Sequence, residues 1–173
     1  DDTNLFASDK NGDSLLRVVN SELHKLSDWF AHNKLTLNYD KTEFVDFSKP
    51  RGNLAGIEWD IKIDGKLIRE VDNSKFLGVF IDSNISWRAH ICKIVSKLSQ
   101  TVGIIARARG FMNAPQLFLL YNTMVLPHLQ YCLLNWGNFK GDCNTGLRDR
   151  LMSLQKSLVT IITASSNPIS HTE

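Results

Sequence analysis

Phe76-Leu77-Gly78-Val79-Phe80-Ile81-Asp82 is the last stretch of this 173-residue chain whose apolar residues read as a strand, and from Trp87 onward they recur at helical spacing. That change of period divides the chain into an α+β part and a helical part. The run itself reads as one strand. Gly78 sits in its middle, where a bulge or the close approach of another backbone is expected. Leu77, Val79 and Ile81 belong to the core in this reading.

Upstream, Ile57, Trp59, Ile61 and Ile63 alternate with polar neighbours, Asp64-Gly65 is a hairpin turn, and residues 66–71 form the returning strand. Pro50-Arg51-Gly52-Asn53 breaks the pattern. Before it, residues 43–48 read as a strand half-buried through Val45 and Phe47. Leu16, Val19, Leu23, Leu26 and Phe30 recur at three-and-four spacing, an amphipathic helix packed on a neighbour. Asp13 or Ser14 caps it, and Asn33 ends it in the left-handed cap conformation. Residues 3–8 read as a strand that Asn11-Gly12 turns away from.

Downstream, Ile91, Ile94, Val95, Leu98, Val102 and Ile105 share one helix face, while Lys93, Lys97, Gln100 and Arg107 share the opposite one. Asn113-Ala114-Pro115 caps a second helix carrying Leu117, Leu120, Tyr121 and Met124; Pro127 kinks or restarts it toward Tyr131 and Trp136. A flexible 141–146 loop leads to a last helix through Leu147, Leu151, Leu154, Leu158 and Ile161. The fold class expected is α+β: a partial antiparallel sheet with a packed helix over residues 1–82, an all-α bundle over 83–164, and a flexible tail over 165–173.

Composition narrows the functions. Apolar residues make up 43% of the chain, enough for a sizeable core. No run approaches the ~20 apolar residues of a membrane span. The chain opens on charges rather than on a basic-then-apolar leader, so an intracellular or nuclear compartment is expected. Three scattered cysteines, Cys92, Cys132 and Cys143, argue against a disulfide framework or a zinc knuckle. His128 and Cys132 could share a helix face, yet two side chains fall short of a four-ligand zinc site and read as core.

The net charge of +2 conceals a division. Residues 1–82 hold 15 acids against 11 bases, whereas residues 83–141 hold no acid and six bases, Arg88, Lys93, Lys97, Arg107, Arg109 and Lys140. Chains are normally about one-quarter charged with both signs mixed, so such a stretch reads as a surface for phosphates. A helical module that happens to be basic is the plainer alternative.

The chain opens with adjacent carboxylates, Asp1-Asp2. Such a pair beside a strand can offer oxygen ligands to a divalent metal, although taken alone it is more often a solvated end. The order Asp1-Asp2, an amphipathic helix, Trp29…Asn33-Lys34-Leu35-Thr36-Leu37-Asn38-x-x-Lys41-Thr42, Phe76-Leu77-Gly78-Val79…Asp82 and Trp87 resembles reverse transcriptases of non-LTR retrotransposons, the jockey-like group. Leu120-Tyr121, Pro127-His128-Leu129-x-Tyr131-Cys132 and Trp136-Gly137 continue the resemblance to about Ile162.

The resemblance implies the C-terminal palm, including the primer-grip hairpin, followed by the thumb of an RNA-directed DNA polymerase. It implies that Asp1 and Asp2 are metal ligands for Mg²⁺ in template-directed nucleotidyl transfer. Lys41 is implied as a general acid or charge partner for the leaving pyrophosphate; a plain loop lysine between Asp40 and Glu43 is the alternative. Asn38 fixes that loop through bonds to backbone. Phe76, Leu77, Gly78 and Val79 correspond to the primer grip, and Lys93, Lys97, Arg107 and Arg109 to contacts with the nucleic-acid backbone.

The implied partners are an RNA template with a DNA primer, deoxynucleotides, and no membrane. Trp29, Trp59, Trp87 and Trp136 read as core rather than as stacking platforms. The fingers and the family's other catalytic aspartate are not among these residues, so the chain alone is expected to be inactive. The rival readings are a non-catalytic nucleic-acid-binding remnant and a helical interaction module.

Overall fold

A computed structural model of the chain describes residues 3–47, 59–137 and 145–165. It is mixed α+β, mostly helical, with small two-stranded sheets. The chain divides into two compact units, Asp1–Phe76 with Ile81–Ser86, and Leu77–Phe80 with Trp87–Glu173.

In the first unit, residues 3–8 form no strand, contrary to expectation, because no described strand lies beside them to supply a ladder. Helix α1 spans Gly12–His32. Its cap is Asn11, two or three residues earlier than expected, whose Oδ1 accepts from the Asp13 and Ser14 amides at 2.9 and 3.2 Å. At the other end Lys34, not Asn33, takes the left-handed conformation, with φ 57°. The amides of Lys34 and Leu35 donate to the carbonyls of Ala31 and Phe30, the paired closure of a Schellman motif.

The expected single antiparallel sheet is replaced, among the described residues, by separate two-stranded pieces, of which one is parallel. Strand β1 (Glu43–Phe44) pairs in parallel with β4 (Arg69–Glu70), and β2 (Lys62–Ile63) pairs antiparallel with β3 (Lys66–Leu67). The Asp64-Gly65 turn stands as read, with φ 51° and 75°, the double positive of a type I′ turn. The returning strand changes partner at buried Ile68, whose amide donates to the Ile61 carbonyl at 2.9 Å. Beyond it, the Val71 amide donates to the Phe44 carbonyl.

Leu23, Ile61, Ile63 and Ile68 make the core of this unit, with Leu16, Val19, Leu37, Tyr39, Phe44 and Trp59 packed on it. Asn20 ties α1 to this core edge as a strand would: its Nδ2 donates to the Asp60 carbonyl and its Oδ1 accepts from the Lys62 amide. Trp29 is a correction, lying exposed on α1 with the edge of Phe30 against its ring.

The expected strand through Gly78 is two strands, β5 (Asn73–Phe76) and β6 (Val79–Asp82), paired across Leu77-Gly78. Both turn residues have positive φ, 45° and 85°, so Gly78 is a turn residue rather than a bulge. Leu77 is 72% exposed at the tip, against the expectation of a core residue, while Val79 is buried.

The second unit is built on α2 (Arg88–Ala108). It packs most extensively on α6 (Thr145–Ala164), and α3 (Ala114–Met124) packs on both. Ile91, Ile94, Val95, Leu98 and Ile105 of α2 join Leu117, Val125, Leu129, Trp136, Leu151 and Leu158 in one apolar core. Asn113 and Gln116 form a reciprocal capping box at the start of α3.

After Val125 the chain restarts as α4 (Leu126–Gln130), with Pro127 at its start, and then α5 (Leu133–Trp136). Because α4 stops at Gln130 and Cys132 turns left-handed at φ 53°, His128 and Cys132 share no helix face. His128 is exposed and Cys132 half-buried, so the pair is not a core pair. The 141–146 loop and the tail lie almost wholly outside the described residues.

Candidate nucleic-acid interface

Helix α2 repeats its apolar residues in step with the helical turn, so the core claims one face and leaves the other to solvent. Lys93, Lys97 and Arg107 lie on that outer face, all exposed, with exposed Gln100 and Ile104 between them. At 1.5 Å rise per residue the stripe from Lys93 to Arg107 runs about 21 Å. The Arg107 guanidinium lies along Gly103, 3.8 Å from where a β-carbon would stand.

Arg109 closes the helix as its C-cap residue, also exposed. No ion pair among the described residues engages any of these four bases. The sequence accounts for this, since no acid occurs between residues 83 and 141. The charges stand unneutralised on a rigid rod, which suits them to a polyanion by counterion release rather than by reading bases. Beside the C-terminal end of α2, Phe111 is 93% exposed.

The hairpin tip is held within the same unit. Tyr131 donates its hydroxyl to the Leu77 carbonyl, and its ring covers Gly78, where an added β-carbon would come within 3.3 Å of Cε1. Trp136 is fully buried and donates Nε1–H to the Tyr131 carbonyl at 2.7 Å. The Phe80 amide donates to Nδ1 of buried His90 at 3.4 Å, and burial holds His90 below the usual histidine range. Tyr131 and Leu77 lie 54 positions apart, and no local periodicity foretells such a pairing.

Lys41 belongs to the first unit, exposed at the end of a 3₁₀ turn, Tyr39–Lys41. Asn38 fixes that turn as expected: its Oδ1 accepts from the Lys41 amide at 3.3 Å, and Thr42 donates its hydroxyl to the Asn38 carbonyl at 2.8 Å. Tyr39 anchors the turn from the other side, donating its hydroxyl to Asp64 at 2.6 Å. Ser27 adds bonds of 2.7 and 2.8 Å to the same carboxylate. The Tyr39 bond first, and then that of Ser27, hold Asp64 below the usual carboxylate range. Neither Tyr39 nor Asp64 was singled out from the sequence for this role; a Tyr inside a polar loop was the available signal.

Phe76, with the edge of Phe6 against its ring at 5.4 Å, also lies in the first unit. Leu77, Gly78 and Val79 lie in the second with Lys93, Lys97, Arg107 and Arg109. Asp1 and Asp2 lie outside the described residues. Among the described residues, no group of three or more His, Cys, Asp or Glu side chains could hold a metal ion. Among them, too, no helix is long and apolar enough to cross a membrane.

The chain matches no protein-family model, no curated protein and no solved structure.

Proposed function

We propose that this chain is the C-terminal palm and thumb part of an RNA-directed DNA polymerase of a non-LTR, jockey-like retrotransposon, and that its helical unit grips the template–primer duplex. The observation that carries the reading is α2, whose one face is buried while the other presents Lys93, Lys97 and Arg107 without acidic partners among the described residues. The fixed turn that presents Lys41 and the held Leu77-Gly78 tip agree with it. In the whole enzyme Asp1 and Asp2 would bind Mg²⁺ for nucleotidyl transfer between deoxynucleotides and the primer end, and Lys41 would face the leaving pyrophosphate.

The first test is binding of a fluorescent RNA–DNA heteroduplex at 50 and 200 mM salt. Three phosphate contacts give a slope of about −2.7, an affinity loss of roughly 40-fold between the two salts. Affinity that does not weaken with salt sinks the reading. A primer-extension assay with Mg²⁺ and deoxynucleotides is expected to show no product from these 173 residues. Incorporation above that of an Asp1→Asn/Asp2→Asn chain would contradict that expectation.

A helical interaction module is the second reading, favoured by apolar side chains left in solvent on the second unit. Phe118 and Leu119 are exposed, and Leu134 is 96% exposed. Salt-insensitive association with a protein, and no affinity for the heteroduplex, would select it.

A further inference from the structure

Three residues from separate segments of the second unit converge on the hairpin tip. Tyr131, between α4 and α5, holds the Leu77 carbonyl; His90, in the first turn of α2, holds the Phe80 amide; Trp136, ending α5, stands between them. Its indole bonds the Tyr131 carbonyl at 2.7 Å and meets the His90 ring edge-on at 5.6 Å between centroids. His90 can accept from Phe80 only while Nδ1 is bare, which assigns the neutral ring its proton on Nε2. That Nε2 is buried and has no hydrogen-bond partner among the described residues.

We propose that Tyr131, Trp136 and His90 form a latch that fixes the Leu77–Phe80 tip to the helical unit, and that protonation of His90 opens it. The proton would occupy the lone pair that holds the Phe80 amide, turning an acceptor into a donor facing a donor. It would also place a charge on a ring that is buried against the Trp136 indole.

Leu77, Gly78, Val79 and Phe80 carry no titratable side chain, nor does any residue of α5; the acid of β6 is Asp82, two residues beyond Phe80, and α4 carries the exposed His128. On α2 the nearest charges, Arg88 and Lys93, are exposed cations. On α3 the only titratable group is the Tyr121 phenol, and on α6 Arg148, Asp149, Arg150 and Lys156 are all exposed. Burial is the one cause acting on His90, and it favours the neutral ring.

The latch is a property of the second unit alone and does not depend on the polymerase reading. Its test uses no nucleic acid, so its failure would leave the binding result standing, and the reverse.

Hydrogen exchange of the whole chain, read at the Phe80 amide and at α6, tests it. At pH 8, Tyr131→Phe is expected to speed Phe80 exchange by about fivefold, the factor carried by a hydrogen bond worth about 1 kcal/mol. Residues of α6 should keep their protection. In wild type, a step from pH 8 to pH 5, corrected for intrinsic exchange, should speed Phe80 further. His90→Asn places an amide oxygen near Nδ1 and cannot be protonated there, so it should restore a slow, pH-independent rate. Phe80 exchange unchanged by Tyr131→Phe, or a pH step of equal size in His90→Asn, would overturn the latch. If Tyr131→Phe also loosens α6, the His90→Asn comparison decides alone.

Discussion

Gly65 and Gly78 occupy the same kind of turn, with φ 75° and 85°, and differ in what surrounds them. A β-carbon on Gly65 meets nothing within 4 Å, whereas one on Gly78 comes within 3.3 Å of the Tyr131 ring. Gly65→Ala should therefore cost only the left-handed strain, about 1 kcal/mol, and Gly78→Ala about 1 kcal/mol more. Urea unfolding of the two variants checks the difference; equal costs would mean that the ring yields freely. Ile85 carries the opposite prediction. It is β-branched, half exposed and left-handed at φ 52°, a conformation costing a side chain of this kind about 1–2 kcal/mol. Ile85→Gly relieves that strain but frees the unfolded chain, and should raise stability by about 0.5 kcal/mol. A lower urea midpoint in the variant would show that the side chain earns its place by packing.

Helix α2 shows which parts of an element are legible in sequence. Its core residues and its cations both follow from the period of the chain, because a helix satisfies its own backbone and needs no partner to define its faces. Leu98→Ala should cost about 2–5 kcal/mol in urea unfolding, since Leu98 is fully buried. Lys97→Gln, one position away, should change stability by less than about 0.5 kcal/mol. The sheets are not legible in this way, for the complementary reason. A strand exists only through its partner, and β1 finds β4 in parallel, 26 residues further on. Nothing within residues 43–48 announces that pairing. The Leu77-Gly78 turn was hidden likewise: Leu-Gly lacks the Asn-Gly or Asp-Gly signature, and its hold comes from Tyr131 far along the chain. Of the candidate site, the basic stripe was legible as a face, the Lys41 turn through Asn38, and the latch not at all.

At the scale of the whole molecule the chain is two units, each with its own core, and pH should act on them separately. His90, in the second, has its folded value pushed below the ordinary 6.5 by burial. The unfolded chain therefore takes the proton first. The stability due to neutral His90 is whole above about pH 6.5 and is lost as pH falls from there through the folded value. Asp64, in the first unit, is lowered from 3.8 by Tyr39 and then Ser27, so its contribution is present above that pH and lost only in stronger acid. Urea midpoints from pH 8 to pH 3 should fall in two stages, and His90→Asn should remove the upper one; an upper stage that survives in this variant would assign it to another group.

The central claim is that the outer face of α2 meets nucleic-acid phosphates. The most direct measurement compares the salt slope of heteroduplex binding for the wild-type chain with that of Lys93→Gln/Lys97→Gln/Arg107→Gln. If each cation neutralises one phosphate, the slope becomes shallower by about 2.7, while the far-ultraviolet circular dichroism of the fold is kept. A triple variant whose slope and affinity equal those of wild type would contradict the claim.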